Sequence, residues 1–218
     1  MEKSLIQILI ENKVITNADV EKYYNENIRQ QASETSNKKI YSEIENGVLI
    51  KLDTRDLNDK GEYVTPPEVV KIGRYAFSGF KHLVKVTLGK NVQAISGYAF
   101  YGSNVFVVEM TDNVYHIGEA AFAYCYNLSN IKLSDNIKTI QPHTFYQCNN
   151  LWEISLPSNL KRIKDSAFCS CVKLRYIDVN KYLTEIGKDA LAGCPLKEQV
   201  LKQIAHNQYL EQIKGNTK

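Results

Sequence analysis

Four cysteines recur at a constant interval of 23 residues, at Cys125, Cys148, Cys171 and Cys194. Thiols in such an array could bind a metal ion or form disulfides. Neither use fits, because no Cys-x-x-Cys pair and no histidine at zinc-ligand spacing accompanies them. The interval indicates instead a column of small buried thiols that pack as apolar side chains, with Phe80 filling the column in the first turn.

The remaining residues that could carry catalysis do not form a site. The four histidines fall at unrelated places in the chain: His82, His116, His143 and His206. His143 precedes Cys148 by five residues, but that cysteine belongs to the buried column and is not expected to act as a nucleophile. Cys169 lies off the column and no neighbour activates it. With no phosphate-binding glycine loop and no metal-ligand cluster, we expect no enzymatic activity, cofactor or metal.

The elements that position these cysteines are repeats. One large apolar residue follows a small one at spacings of 23, 22, 23, 23 and 23, namely Phe77, Phe100, Phe122, Phe145, Phe168 and then Leu191. An isoleucine stands five residues before each of them, and an apolar run with alternate spacing follows, as in Leu151–Leu156. Chance does not hold so many positions in phase, so the pattern predicts a solenoid.

The local pattern within one repeat predicts a short strand followed by a sharp change of direction. The alternating run is typical of a strand, and strands from successive turns would pair in parallel about 4.8 Å apart. The small residue beside the aromatic indicates a tight turn or a short helical piece. A single turn cannot bury its own apolar side, so stability must come from stacking between neighbours.

The repeat resembles a known family. Ile117–Leu133 and Ile140–Leu160 follow the pattern I-G-x-x-A-F-x-x-C-x-x-L-x-x-I-x-L-P-x-x-L, with Pro157 at the usual proline. This pattern, over about residues 63–194, is similar to the BspA-type leucine-rich repeat. The resemblance implies a right-handed β/α superhelix of about 23-residue turns. It also implies a role in protein binding or adhesion, since members are often exported or surface-exposed.

Four units are expected along the chain: a two-helix segment at 1–36, a β-hairpin or degenerate cap at 40–65, the leucine-rich repeat solenoid at 66–194, and a capping helix with a tail at 195–218. Capping boxes open the two N-terminal helices at Ser4 and Thr16. Pro195 suits the first position of the last helix. Its apolar stripe is expected to cover the last turn: Leu196, Val200, Leu201 and Ile204.

Composition narrows the classes of partner and location. The net charge of +3 over 218 residues is small and dispersed, which argues against nucleic-acid binding. No apolar run approaches the ~20 residues that span a bilayer. The brief apolar run Leu5–Ile10 lacks the length and cleavage site of a signal peptide. The expected location is therefore cytoplasmic, with export only if a signal had been removed.

Residues between the buried strand positions point outward and define a candidate partner-binding site. Phe106 and Trp152 are large aromatics at positions that the core does not require. Aromatic and arginine side chains most often carry interface energy, so the candidates are Phe106, Trp152, Tyr176, Glu153 and Arg175. The alternative is that the aromatics are half buried under a neighbouring loop.

Tyrosines concentrate on the turn side of the repeats: Tyr75, Tyr98, Tyr101, Tyr124, Tyr126 and Tyr146. A phenol ring suits both a solvated edge of the fold and a binding interface. These tyrosines could therefore either pack along the edge of the repeats or bind a partner.

The leading hypothesis for function is a non-enzymatic protein-interaction module whose protein partner is unknown. An alternative is a structural protein that forms homo-oligomers through the N-terminal helices. A third is surface adhesion, which requires export.

Overall fold

The structure is a computed structural model that describes residues 39–215. The chain divides into two compact units, Met1–Ile40 and Tyr41–Lys218, and all of the repeats lie in the second. The predicted two-helix segment at residues 1–36 lies outside the described residues, and so does the predicted self-assembly through it.

Fourteen short strands and one α-helix are assigned in the described part of the chain. In chain order they are β1 (Glu43–Glu45), β2 (Val48–Lys51), β3 (Glu62–Val64), β4 (Lys71–Ile72), β5 (Lys85–Thr87), β6 (Ala94–Ile95), β7 (Val107–Glu109), β8 (His116–Ile117), β9 (Asn130–Ile131), β10 (Thr139–Ile140), β11 (Glu153–Ser155), β12 (Arg162–Ile163), β13 (Tyr176–Asp178), β14 (Glu185–Ile186) and α1 (Lys197–Gly215). The repeats are numbered first to sixth by Phe77, Phe100, Phe122, Phe145, Phe168 and Leu191.

The strand face consists of β3, β5, β7, β9, β11 and β13. The first four pair in parallel in that order, and β11 pairs in parallel with β13. Partners are equivalent residues of successive repeats, so Lys85 pairs with Val107, and Glu153 pairs with Tyr176. Val86 and Ile154 at the strand centres are buried, while the residues beside them are more exposed. The predicted solenoid of parallel short strands is confirmed.

A second parallel sheet is built mainly from strands of two residues. Its order is β2-β4-β6-β8 with β1 antiparallel at the edge, and a further group pairs as β10-β12-β14. Each of these two-residue strands ends in the repeating isoleucine, as Ile72 ends β4. The repeat pattern in the sequence predicts only the strand face, because a two-residue strand is too short to show alternation.

Each repeat changes direction at its aromatic residue, and these residues form one continuous stack. The rings of Phe77 and Phe100 lie 4.5 Å apart and nearly parallel, and those of Phe100 and Phe122 lie 4.8 Å apart. The backbone N–H of Phe100 donates to the carbonyl of Ala121 in the next repeat at 2.8 Å. In the described repeats the segment around each aromatic is a turn, so the short helical piece that the sequence also allowed is not formed there.

The N-terminal end of the stack is covered by the β1–β2 hairpin and β3. Leu49 of β2 pairs with Ile72 of β4 and is fully buried. The ring of Tyr63 on β3 packs edge-on against Phe77 at 5.7 Å. These contacts continue both sheets for one turn beyond the first repeat.

The C-terminal end is covered by α1. Val200 and Ile204 are buried and Leu201 is half-buried. Asn207, also buried, donates from Nδ2 to the carbonyls of Asn180 at 3.0 Å and Leu183 at 3.1 Å. The amide thus ties the helix to the last repeat, a link that the apolar stripe in the sequence did not reveal. Among the described residues, no helix is both long and apolar enough to cross a membrane.

Candidate functional site

The predicted partner-binding residues lie on the strand face with their side chains in solvent. Trp152, just before β11, is 46% exposed, and Tyr176 on β13 is 63% exposed. Their rings meet edge-on with centroids 5.8 Å apart. The carbonyl of Trp152 accepts hydrogen bonds from the backbone N–H groups of Arg175 at 2.8 Å and Tyr176 at 3.3 Å. The repeat backbone therefore holds this aromatic pair in place.

A cleft of about 330 Å³ lies beside this pair. Glu153, Arg175 and Tyr176 line it from the strands, and Leu196 and Gln199 line it from the start of α1. Three of the five predicted residues therefore share one cleft, and Trp152 contacts it through Tyr176. The sequence predicts Leu196 only as part of the helix that covers the last turn and does not predict Gln199, because nothing in the helix sequence specifies which strand positions its first turn faces.

Phe106 lies elsewhere on the strand face, before β7 in the second repeat. It is 38% exposed and does not line the cleft. Nearby, Lys85 forms an ion pair with Glu109 at 2.6 Å, and this contact lowers the pKa of the Glu109 carboxyl. Phe106 thus lies near an ion pair in the N-terminal half of the strand face, separate from the other four candidate residues.

The cysteine column is buried, and its thiols are used for hydrogen bonding. Cys125, Cys148, Cys171 and Cys194 are at most 7% exposed. Each thiol donates to the carbonyl of a phenylalanine in the preceding repeat, as Cys148 does to Phe122 at 3.1 Å. Burial raises the pKa of Cys125 to about 12. Within residues 39–215, no group of three or more acidic, histidine or cysteine side chains is placed to hold a metal ion.

Maleimide is expected to modify only Cys169 in the folded protein, because Cys169 is half-buried and the four column thiols are buried. The thiolate is the reactive form, so the raised pKa of Cys125 suppresses labelling of that thiol beyond the effect of access. Intact mass should show one adduct natively and five after unfolding in guanidinium, since the chain has five cysteines. A second rapid adduct before unfolding would show that the column opens.

The raised thiol pKa also sets the direction of a pH effect on stability. An unfolded thiol ionises near pH ~8.5, whereas Cys125 in the folded state does so at about 12. Raising the pH through this window therefore favours the unfolded chain, which releases the proton first.

The tyrosines on the turn side form a continuous row in the structure. Neighbouring ring centroids lie 5.5 Å apart for Tyr75 and Tyr98, 5.7 Å for Tyr98 and Tyr101, 5.1 Å for Tyr101 and Tyr124, and 5.3 Å for Tyr124 and Tyr146. Partial burial, followed by the neighbouring phenols, raises the pKa of Tyr124. This row is a second concentration of aromatic surface, distinct from the strand face.

Comparison with known families identifies the repeat. The chain matches the model of the BspA type leucine rich repeat region in six copies, over residues 60–149 and 95–214. A search of curated proteins gives no significant match.

Solved structures share the same fold. A leucine-rich repeat protein of Bacteroides ovatus is 26% identical over 67% of this chain and 45% of its own, with a TM-score of 0.55. One from Eubacterium ventriosum is 22% identical over 69% of this chain and 47% of its own, with a TM-score of 0.58. The leucine-rich repeat protein of T. pallidum is 19% identical over 72% and 87%, with a TM-score of 0.57.

This chain therefore spans less than half of the Bacteroides and Eubacterium structures that it resembles. The six matched copies cover most of its length and coincide with the stacked turns described above. The chain belongs to the BspA-type leucine-rich repeat family.

Proposed function

We propose that this protein is a non-enzymatic protein-interaction module that binds a partner protein through the strand face at Trp152 and Tyr176. Leucine-rich repeat proteins generally bind proteins and are generally non-enzymatic. The observation that carries the proposal is the exposed Trp152–Tyr176 pair beside a cleft, held by a hydrogen-bonded sheet.

The exposed Trp152–Tyr176 pair presents apolar area that a partner protein can cover. Two large rings in solvent leave apolar area unburied, and covering that area with a partner would stabilise a complex by about 25 cal/mol per Å² before association costs. Tryptophan, tyrosine and arginine are the side chains that most often dominate interface energy. Arg175 and Glu153 beside the pair add charges of both signs, which favour one partner orientation over others.

Replacing Trp152 with alanine is expected to weaken the partner complex at least about tenfold, or roughly 1.4 kcal/mol, while the fold persists. Trp152 is the only tryptophan, so its fluorescence also reports partner binding in the wild type. The partner would first be captured from the source organism's lysate, with wild type and a Phe106→Ala/Trp152→Ala double variant side by side. Affinities of the recovered protein would then be measured by calorimetry.

The matched control is Tyr115→Ala, because Tyr115 is 58% exposed and lies outside the strand face, directly before β8. This control should retain wild-type affinity. Comparing Phe106→Ala with Trp152→Ala separates the two parts of the face. Equal partner affinity for wild type and Trp152→Ala would remove the assignment of this site.

A further inference from the structure

The turn side of the repeats carries a cleft of about 640 Å³, which is separate from the binding site proposed on the strand face. Its floor contains Ala120 and Ala123 of the third repeat. Tyr101 of the second repeat and Tyr146 of the fourth stand on either side. Tyr124 meets both rings edge-on, at 5.1 Å and 5.3 Å between centroids. Small residues in one repeat between large ones in its neighbours thus produce a slot with aromatic walls.

Each wall of this tyrosine cleft is reinforced by a second ring. Tyr98 contacts Tyr101 at 5.7 Å, and His143 contacts Tyr146 at 5.7 Å. The walls therefore have aromatic faces and edges packed against one another, which limits the freedom of the rings before any ligand enters.

The charge of the tyrosine cleft is negative. Glu119 and Asp189 line it, and its described lining contains no lysine or arginine. The Tyr98 hydroxyl donates to Oε1 of Glu119 at 3.5 Å, which places that carboxylate at the aromatic wall. An aromatic lining together with carboxylates favours a cation, because both the ring faces and the carboxylates are electron-rich.

The same row of tyrosines already packs against a cation within this chain. The guanidinium carbon of Arg74 lies 4.4 Å from the centroid of the Tyr98 ring and 5.0 Å from that of Tyr75. The tyrosine row can therefore accommodate a planar guanidinium, and the cleft offers further rings of the same kind without a cation of its own in the described lining.

Backbone conformation argues that these aromatics are not simply the residues that suit the turn. Tyr98 and Tyr124 have φ of 61°, and His143 has φ of 55°. Bulky residues rarely adopt this left-handed region, which glycine enters freely. Gly79 and Gly102 fill the position of Tyr124 in the first two repeats, with φ of 69° and 64°. Gln147 and Ser170 hold the same position in the next two repeats with φ of 57° and 62°, so the left-handed conformation belongs to the turn itself and does not require an aromatic ring.

We propose that the tyrosine cleft binds an arginine side chain presented by a partner protein. The guanidinium would stack on the rings of Tyr101, Tyr124 or Tyr146, and its N–H groups would donate to Glu119 or Asp189. Arginine suits the cleft better than lysine, because its planar group both stacks on aromatic faces and donates several hydrogen bonds to carboxylates. This site is separate from the strand face, so it stands or falls independently of the function proposed above.

The test uses the full chain and a heptapeptide with one central arginine flanked by glycines, with capped ends. The matched probe carries citrulline, which keeps the shape of arginine but removes its charge. Two-dimensional NMR of the tyrosine ring signals follows each titration and can measure weak binding. The arginine peptide should bind at least about fivefold more tightly than the citrulline peptide, with shifts centred on the rings of the cleft.

Tyr124→Leu should weaken the arginine peptide by about fivefold to thirtyfold, since it removes the ring between the two walls. Tyr124→Phe should retain binding, because phenylalanine keeps the aromatic face. Tyr101→Leu provides the same loss if Tyr124→Leu does not fold, and Tyr115→Leu serves as the control outside the cleft. Thermal unfolding checks that each variant is native.

Equal binding of the arginine and citrulline peptides would overturn the proposal, and so would unchanged affinity in both leucine variants. Tetramethylammonium is titrated as a third probe. If it perturbs the cleft while the arginine peptide does not, the ligand is a quaternary ammonium compound and the assignment to a protein side chain is wrong.

Discussion

Replacing Phe122 with alanine is expected to lower the free energy of unfolding by about 3–5 kcal/mol, the largest effect of any single change considered for this protein. Phe122 is fully buried and lies in the middle of the phenylalanine stack. Its ring centroid is 4.8 Å from that of Phe100 and 5.5 Å from that of Phe145. Its loss removes contacts to two repeats at once. In a solenoid, stability depends on such neighbour interfaces, so the cavity weakens both halves of the stack.

Urea denaturation followed by circular dichroism measures this loss. Phe122→Leu is the matched control, since it keeps most of the apolar volume and should cost less than about 1.5 kcal/mol. Leu191→Ala provides a second comparison at the last repeat, where one side of the residue faces the cap rather than another full repeat. A Phe122→Ala loss below about 1 kcal/mol would mean that the stack is not the main source of cohesion between repeats.

The sequence predicted the stack well because a solenoid repeats one set of contacts many times. The same buried position recurs at the same spacing in successive repeats, so each repeat supports the prediction made from the others. The columns that contain Phe122 and Cys148 are examples, and both residues are buried in the structure. The predicted outward positions are also exposed, with Trp152 and Tyr176 among them. Period-two alternation fixes which strand residues face inward once the repeat length is known.

Features that depend on a single contact or on backbone angles could not be read from the pattern. The left-handed conformation at Tyr98 and His143 has no glycine to mark it. The cleft at Tyr176 needs Gln199 from a helix whose docking angle the sequence does not specify. Asn207 stands on the buried side of α1 although it is polar, because its partners are backbone carbonyls of the last repeat. Such contacts are set by tertiary placement rather than by period.

The two aromatic surfaces also differ in how far the sequence predicts them. On the strand face the core alternation leaves Trp152 exposed, so its candidacy follows from sequence alone. On the turn side, the tyrosine cleft exists because Ala123 is small where the equivalent residues of the adjacent repeats, Tyr101 and Tyr146, are large. This difference in side-chain size appears only when each repeat is compared with its neighbours, because stacking is what brings the equivalent positions together.

Replacing Asp56 with alanine is expected to destabilise the N-terminal end of the solenoid by about 2–4 kcal/mol. The Asp56 side chain is buried and accepts hydrogen bonds from the backbone N–H groups of Tyr41 and Ser42 and from the Ser42 hydroxyl, the last at 2.5 Å. The hydroxyl of Ser42 accepts in turn from the backbone N–H of Asp53 at 3.0 Å. Removing the carboxylate leaves the buried N–H and hydroxyl groups of Ser42 without these bonds, which costs more than the loss of one exposed contact.

Because this network joins the start of β1 to the segment after β2, its loss should loosen the hairpin before the repeats. Hydrogen exchange should therefore accelerate at Leu49 and Ile50, while amides of the central stack near Phe122 change less. Asp56→Asn is the matched variant: its amide oxygen still accepts a hydrogen bond, so it should lose less stability than alanine. If exchange in Asp56→Ala rises equally at the hairpin and at Phe122, the end of the solenoid unfolds together with its centre rather than as a separate cap.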